Sequence, residues 1–219
     1  LFKWYNKNKV LFPWRQKPTP YGVWISEIML QQTQVRTVIP YFNKWMDTFA
    51  TIETVAFSNV DKVLKSWEGL GYYQRAHNIH STAQIVVKHF NSTIPDEYNK
   101  LIQLKGIGDY TASAILSIAY NQKYPAIDGN LKRVISRLAG ISNPKKIISE
   151  SKKNVMNLME DNNPGMINQS LMDLGRKICR SNNPKCMICP ISNFCVAYKK
   201  NKIFYYSFKK AAKIKPTYN

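Results

Sequence analysis

The sequence predicts an all-α protein, because its apolar residues recur with helical spacing and no segment alternates apolar and polar residues as a half-buried strand does. The clearest stripe places apolar side chains at i, i+3, i+4 and i+7, namely Val60, Val63, Leu64 and Trp67. No alternating segment is bounded by hairpin turn signals. We therefore expect about eight to ten short helices and essentially no sheet.

In chain order, the predicted helices cover residues 23–30, 60–67, 76–90, 98–104, 111–119 and 131–138. The first is almost wholly apolar, and the second and third each present one apolar stripe to a core. The fourth and fifth flank a pair of glycines, and the last follows Asp128, a residue type that often N-caps a helix. Prolines are expected to interrupt the helical runs; they are Pro40, Pro95, Pro125, Pro144, Pro164 and Pro184.

Composition indicates a globular protein that binds a polyanion. The chain has 219 residues and 44% hydrophobic content, enough for one large domain or two small ones. Its formal net charge of +19 favours nucleic acid as a partner, with an anionic membrane surface as the second choice. No apolar stretch is long enough to span a bilayer and no signal peptide is recognisable, so we expect a cytoplasmic protein without a membrane partner.

The four cysteines of the chain, Cys179, Cys186, Cys189 and Cys195, lie within one short segment with the spacing C-x6-C-x2-C-x5-C. Clustered thiols in a reducing compartment bind metal more often than they form disulfides. The spacing predicts a single metal site, and by itself it leaves structural zinc and an iron-sulfur cluster equally open.

Gly106 and Gly108 lie between two predicted helices, in the segment LKGIGDYT at 104–111. This pattern predicts a tight turn whose backbone N–H groups, at the start of the second helix, can hold a phosphate without reading sequence. A plain structural hairpin is the alternative interpretation. The net charge of +19 favours the phosphate.

Several motifs in the same order resemble one enzyme superfamily. LKGIGDYTASAI at 104–115 is similar to the helix-hairpin-helix of the endonuclease III superfamily of DNA glycosylases, and AIDGNLKRVISRL at 126–138 resembles its catalytic-aspartate segment. The cysteine spacing is also similar to that of its [4Fe-4S] site. The segments LFPWR, VWISEIMLQQTQV and WEGLGYYQRAHN resemble the adenine glycosylase (MutY) branch, and the likeness runs from about residue 10 to residue 198.

The resemblance implies a helix-hairpin-helix DNA glycosylase fold: a six-helix barrel module and an iron-sulfur cluster module with the active-site cleft between them. The barrel is expected at 23–135, with the hairpin at about 98–119, and the cluster module at 136–198. An N-terminal segment, 1–22, should pack with the cluster module, and 199–219 should form a basic aromatic tail or linker. The tail is either solvated or in contact with nucleic acid.

By resemblance, Glu27 protonates the adenine ring and Asp128 stabilises the oxocarbenium-like sugar, with Asn130 as an orienting neighbour. The residues alone also allow a surface or capping role for Glu27 and an N-cap role for Asp128. Partial burial would raise the pKa of Glu27 and keep its proton available. Tyr110 occupies the position where bifunctional relatives have the lysine that forms a Schiff base. A monofunctional enzyme is therefore implied.

The remaining motif residues are assigned to DNA distortion and base capture. Gln31 and Gln32 are expected to fill the gap left by a flipped base, and Tyr72 to wedge beside the opposite base. Trp14, Arg15 and Asp173 match positions that line the adenine pocket in relatives. Basic residues assigned to phosphate contacts are Arg75, Lys132 and Arg133 from the barrel, and Arg176, Lys177, Arg180 and Lys185 near the cysteines.

The implied function is removal of adenine mispaired with 8-oxoguanine or guanine in double-stranded DNA, by a monomer that carries a [4Fe-4S] cluster in a structural role. Relatives of this kind continue into a Nudix-like domain at about the place where the chain stops, Asn219. We expect adenine removal without it, but a weaker preference for 8-oxoguanine. The alternatives are a related glycosylase for mismatched thymine or an oxidised pyrimidine, and a non-catalytic DNA-binding module.

Overall fold

The computed structural model describes residues 1–206, which contain thirteen α-helices, two 3₁₀ helices and no strand. The α-helices are α1 Phe2–Asn8, α2 Pro13–Gln16, α3 Pro20–Leu30, α4 Val35–Thr48, α5 Ile52–Ala56, α6 Val60–Trp67, α7 Gln74–His89, α8 Tyr98–Leu101, α9 Asp109–Ile118, α10 Gly129–Ala139, α11 Ile147–Leu158, α12 Pro164–Lys177 and α13 Val196–Lys199. The 3₁₀ helices are Cys186–Ile188 and Ser192–Phe194. The prediction of an all-α fold is confirmed.

The predicted helix number was too low, because four of the helices in the described chain have only four or five residues. They are α2, α5, α8 and α13. A helix of about one turn shows no apolar period, so α2, α5 and α13 look like loops in the sequence, whereas α8 lies within the predicted helix at 98–104. Such short helices are held by the packing around them rather than by their intrinsic propensity.

Pro40 does not interrupt a helix as we predicted, since it lies inside α4. Proline removes one backbone hydrogen bond and crowds the preceding turn. The helix continues because its apolar stripe is buried on one side, with Val38, Phe42 and Trp45 in the core. Tertiary packing therefore overrides the local penalty.

The buried apolar side chains form two cores. The larger is built by α2 to α9, and its centre includes the fully buried rings of Trp24, Trp45 and Trp67. The smaller is built by α10 to α12, and Phe2 and Trp4 of α1 pack against it. Helix α9 packs on both α3 and α12 and so joins the two cores.

The domain boundaries at residues 22, 135 and 198 stay predictions. Most of the basic aromatic tail, residues 207–219, lies outside the described part of the chain. Within residues 1–206, no helix is long and apolar enough to cross a membrane.

Candidate active site

A cavity of about 680 Å³ opens where α3 and α9 of the larger core face α10 and α12 of the smaller one. Eight of the predicted site residues line it: Trp14, Arg15, Glu27, Gln31, Tyr110, Asp128, Asn130 and Asp173. They come from five separate parts of the sequence. The fold therefore brings together the two carboxylates that the sequence singled out, although about a hundred residues separate them.

Glu27 lies inside α3 and is only 7% exposed, so the alternatives of a surface glutamate or a helix cap are wrong. We expected it at the start of a helix, but α3 begins at Pro20. The phenol of Tyr110 donates a hydrogen bond of 2.7 Å to Glu27 Oε2. Burial raises the pKa of Glu27 to about 7, the Tyr110 hydrogen bond opposes the rise, and nearby Asp128 adds to it.

Helix α3 ends shortly after Glu27, just before the QQTQV part of its motif. Leu30 is the last residue of α3 and Gln31 is its C-cap. Gln34 is the N-cap of the next helix, α4, so Gln34 does not lie on the Glu27 face of α3. Gln31 still lines the cavity.

Asp128 is the N-cap of α10, as predicted, and its carboxylate also lines the cavity. Asp128 Oδ1 accepts the backbone N–H of Leu131 at 2.6 Å, and Oδ2 accepts Asn130 Nδ2 at 2.9 Å. Burial raises the pKa of Asp128, while these two hydrogen bonds oppose the rise. These capping hydrogen bonds fix the Asp128 carboxylate at the N-terminus of α10, where Asp128 lines the cavity.

Arg133 binds Asn130, which in turn donates to the Asp128 carboxylate, so its guanidinium is not free to contact a phosphate. Its Nη2 donates to Asn130 Oδ1 at 2.9 Å and to the carbonyl of Gly175 at 2.8 Å. Its Nε donates to the carbonyl of Cys179 at 2.7 Å. The assignment of Arg133 to DNA phosphate is therefore corrected, since its donors serve the smaller core.

Arg15 and Asp173 form a buried ion pair across the cavity wall. Arg15 Nη1 lies 2.9 Å from Asp173 Oδ2 and Nη2 lies 3.2 Å from Oδ1, a two-point contact. Asp173 is 2% exposed and also accepts from Arg176 at 3.3 Å. Both guanidinium groups lie against the ring of Phe12, which stacks on Trp14.

The sequence did not single out Phe12, and it assigned Arg176 to phosphate. In LFPWR, Phe12 precedes by two positions Trp14, which we did select, so the motif could have indicated it. Arg176 instead pairs with Asp173, and Lys177 donates to the carbonyl of Asn8. Arg176 lines the cavity, whereas Lys177 links α12 to the end of α1.

The predicted hairpin is confirmed as α8, a turn and α9. Gly106 has a φ of +81°, and a Cβ there would approach Asn78 Cβ to 3.1 Å, so the turn requires glycine. Gly108 has an extended φ of −95° and N-caps α9. Neither glycine lines the large cavity.

Gln32 and Tyr72 also lie outside the cavity, on two exposed turns. Tyr72 is 60% exposed and Gln32 is also exposed. Both have left-handed backbone conformations, with φ of +58° at Gln32 and +51° at Tyr72. Such conformations are uncommon for residues other than glycine and often mark functional turns.

Arg75 is another basic residue whose predicted contact with phosphate is wrong. It is 8% exposed, and its guanidinium donates to backbone carbonyls of the same two turns. The sequence does not distinguish a buried arginine such as Arg75 from an exposed one, because the same helical spacing of apolar residues follows both kinds.

The four cysteines line one small cavity beside α10. Arg137 Nη1 donates to Cys179 Sγ at 3.3 Å, and Cys195 Sγ lies 3.4 Å from the carbonyl of Arg137. Burial raises the pKa of the Cys186 and Cys189 thiols, and the neighbouring thiols add to the rise. In the described residues, no three His, Cys, Asp or Glu side chains are close enough to bind a single metal ion.

Residues 25–160 match the family model described as HhH-GPD superfamily base excision DNA repair protein. The chain belongs to the HhH-GPD superfamily. Its helical fold is therefore that of a base excision DNA repair superfamily, as the sequence motifs implied.

Within the HhH-GPD superfamily, the chain is similar to curated adenine DNA glycosylases. It is 45% identical over 221 residues to that of Buchnera aphidicola subsp. Acyrthosiphon pisum (strain APS), covering 99% of this chain and 63% of the relative. It is 37% identical over 209 residues to that of Homo sapiens, covering 90% of this chain and 38% of the relative. The chain thus spans only part of the length of these relatives.

Solved structures show the same HhH-GPD architecture. A thermostable thymine-DNA glycosylase matches with a TM-score of 0.81 and 27% identity, over 90% of this chain and 93% of that one. A non-covalent endonuclease III–DNA complex matches with a TM-score of 0.77 and 20% identity, over 91% and 92% of the two chains. The second likeness concerns the fold alone.

Proposed function

We propose that this chain is the catalytic part of a monofunctional adenine DNA glycosylase, which hydrolyses the N-glycosidic bond of adenine mispaired with 8-oxoguanine or guanine. The observation that carries the proposal is the pair of carboxylates, Glu27 and Asp128, in one cavity. One of them is hydrogen bonded to the phenol that replaces a lysine nucleophile. The curated relatives named adenine DNA glycosylase support the choice of base.

Glu27 supplies the proton in this mechanism. A carboxyl with a pKa of about 7 is partly protonated at neutral pH and can give its proton to a ring nitrogen of adenine as the bond to the sugar breaks. The base then leaves neutral. Tyr110 keeps Oε2 occupied and so fixes the orientation of the carboxyl group.

Asp128 acts on the sugar rather than on the base. As the glycosidic bond breaks, positive charge develops on the sugar ring, and a carboxylate held at a helix N-terminus stabilises that charge. A water molecule adds to C1′ and loses a proton to ionised Glu27. The products are free adenine, an abasic site and a regenerated proton donor.

Tyr110 limits the reaction to hydrolysis. Bifunctional glycosylases attack C1′ with an amine and pass through a Schiff base, which leads to strand cleavage. A phenol cannot form that intermediate. The phosphodiester backbone is therefore expected to stay intact until alkali is added.

The cavity is suited to hold a flipped base. A base must leave the duplex to reach Glu27, and the gap it leaves must be filled. We assign Gln31, Gln32 and Tyr72 to this filling, and the hairpin at Gly106 and Gly108 to a phosphate contact. Trp14 and the Arg15–Asp173 pair form the wall against which adenine would rest.

We further propose that the four cysteines hold a [4Fe-4S] cluster. Their convergence on one cavity supports a shared centre. The C-x6-C-x2-C-x5-C spacing is similar to that of the [4Fe-4S] site in the endonuclease III superfamily, and the match to the HhH-GPD family supports the cluster over zinc. The contribution of the cluster would be to fold residues 179–195, with no part in the hydrolysis.

The test is incubation of the protein with A:8-oxoguanine, A:G and T:G duplexes, followed by alkali. Cleavage at adenine only after alkali is the expected result. Cleavage at thymine would favour the second candidate, a thymine mismatch glycosylase, which the 27% identical structure makes worth testing. Binding without cleavage of any duplex would leave only a DNA-binding module.

A further inference from the structure

The two exposed turns that carry Gln31, Gln32 and Tyr72 share one buried anchor, Arg75 of α7. We propose that Arg75 is a positioning residue that joins these turns into a single rigid wedge for the DNA stack. The inference rests on the proposed function, because it specifies how the wedge needed for base flipping is held in shape. It assigns Arg75 no contact with DNA.

The first half of the anchor is the C-terminus of α3. Arg75 Nη1 lies 2.9 Å from the carbonyl oxygen of Ile28, 3.0 Å from that of Met29 and 2.6 Å from that of Gln31. The last carbonyls of a helix have no partner within the helix, and in this position they are shielded from water. Arg75 satisfies them at the point where the chain leaves α3 toward Gln32.

The second half is the turn between α6 and α7. Arg75 Nη2 donates to the carbonyl oxygens of Gly71 at 3.0 Å and Leu70 at 3.3 Å. The guanidinium carbon lies 5.4 Å from the ring centre of Tyr72 and 5.2 Å from that of Trp67. The fully buried Trp67 ring therefore backs the guanidinium, and the exposed Tyr72 ring covers it.

One planar group thus fixes two turns that are distant in sequence. The two Nη atoms of a guanidinium carry four N–H donors in a rigid plane, whereas a lysine ammonium is a compact point charge with three. The buried Nε of Arg75 has no hydrogen-bond partner among the described residues, so the Nη groups alone make the anchor. Among the described residues, Arg75 donates to backbone carbonyls and to Thr33 Oγ1, and to no carboxylate. The arrangement is therefore specific for arginine and is built for the shape of the backbone rather than for charge neutralisation.

The strain in both turns supports a functional reason for the anchor. Gln32 and Tyr72 have positive φ angles, a conformation that is unfavourable for residues other than glycine. These are the same two turns that Arg75 joins. Positive φ also occurs at Asn91, Ser92 and Asn121, so what sets Gln32 and Tyr72 apart is that one buried guanidinium bonds to the backbone of both of their turns.

The experiment is a double-mutant cycle on Arg75→Lys and Tyr72→Ala, read as single-turnover adenine excision from an A:8-oxoguanine duplex. Fluorescence of 2-aminopurine at the adenine position, which rises when the base leaves the stack, is read in parallel. Val86→Ala, a fully buried position of the same helix, is the control for a general loss of stability. Thermal unfolding of all variants is measured first.

We expect Arg75→Lys to slow excision by about 10- to 100-fold and to weaken the 2-aminopurine signal, because small misplacements near a reacting centre cost about that much. Val86→Ala should change neither. Because Arg75 acts in part through Tyr72, the loss in the double variant should be smaller than the product of the two single losses, which is a non-additivity.

Two results would overturn the inference. One is an Arg75→Lys variant whose excision rate and 2-aminopurine signal equal those of Val86→Ala. The other is a double variant whose loss is the product of the two single losses. If the unaltered protein flips 2-aminopurine but releases no adenine, the proposed function fails, while the fluorescence still decides the role of Arg75.

Discussion

Replacing Glu27 by glutamine should make the protein more stable at neutral and alkaline pH while it abolishes catalysis. The carboxyl is 7% exposed, and burial raises its pKa from 4.5 to about 7. A tenfold change in proton affinity corresponds to about 1.4 kcal/mol, so the rise corresponds to about 3 kcal/mol of unfavourable ionisation in the folded state. Glutamine keeps an acceptor for Tyr110 and has no charge to bury.

The pH window follows from the direction of the shift. Below the unfolded pKa of 4.5, Glu27 is protonated in both states and contributes no ionisation cost. Between 4.5 and about 7 the unfolded chain has released the proton and the folded chain has kept it, so stability falls with rising pH. Above the folded pKa the loss is complete and constant.

Urea unfolding at several pH values measures the effect directly. From about pH 5 to about pH 8, the stability of Glu27→Gln relative to the unaltered protein should rise by about 2 to 3 kcal/mol and then level off. The exposed Glu160 offers a matched control, since Glu160→Gln removes one carboxylate at the surface. The free energy of unfolding of Glu27→Gln and that of the unaltered protein could instead change in parallel across this pH range. That result would refute the argument that Glu27 is buried and retains its proton.

Three further outcomes are expected. Tyr110→Phe removes a hydrogen bond that lowers the pKa of Glu27, so the alkaline limb of the single-turnover pH profile should move to higher pH; a move to lower pH would contradict the assignment. Arg15→Met should lower the free energy of unfolding by about 3 kcal/mol, because it leaves Asp173 buried with only its longer contact to Arg176. Arg36→Met, at an exposed position, is the control. An equal loss of stability in both variants would argue against the ion pair. Cys186→Ser should abolish iron and sulfide binding and the visible absorbance of the cluster, whereas a protein that contains zinc in place of iron would overturn the cluster proposal.

Sequence patterning predicted α3, α6, α7 and α10, because an apolar stripe such as that of α6 repeats over two turns and reports directly on the buried face. It did not single out the long helices α4, α11 and α12, and it missed α2 and α13, which are about one turn long. It also failed for Pro40, where the packing of α4 outweighs a local penalty. Both failures arise because tertiary contacts, which the local pattern does not encode, decide these segments.

In the candidate site, too, some features could be predicted from the sequence and others could not. Residue types and motif order singled out Glu27 and Asp128, but the hydrogen bond from Tyr110 to Glu27 joins residues 83 positions apart and is visible only in the fold. Formal charge was the weakest guide. It grouped Arg75 and Arg133 with the phosphate contacts, although both guanidinium groups satisfy backbone carbonyls inside the protein.

The most direct test of the account is the identity of the base released from an A:8-oxoguanine duplex, determined by chromatography and mass measurement of the free base. The unaltered protein should release adenine in an amount equal to the alkali-labile sites, and Glu27→Gln should bind the same duplex and release none. Release of adenine by Glu27→Gln at an unchanged rate, or release of a different base by the unaltered protein, would contradict the central claim.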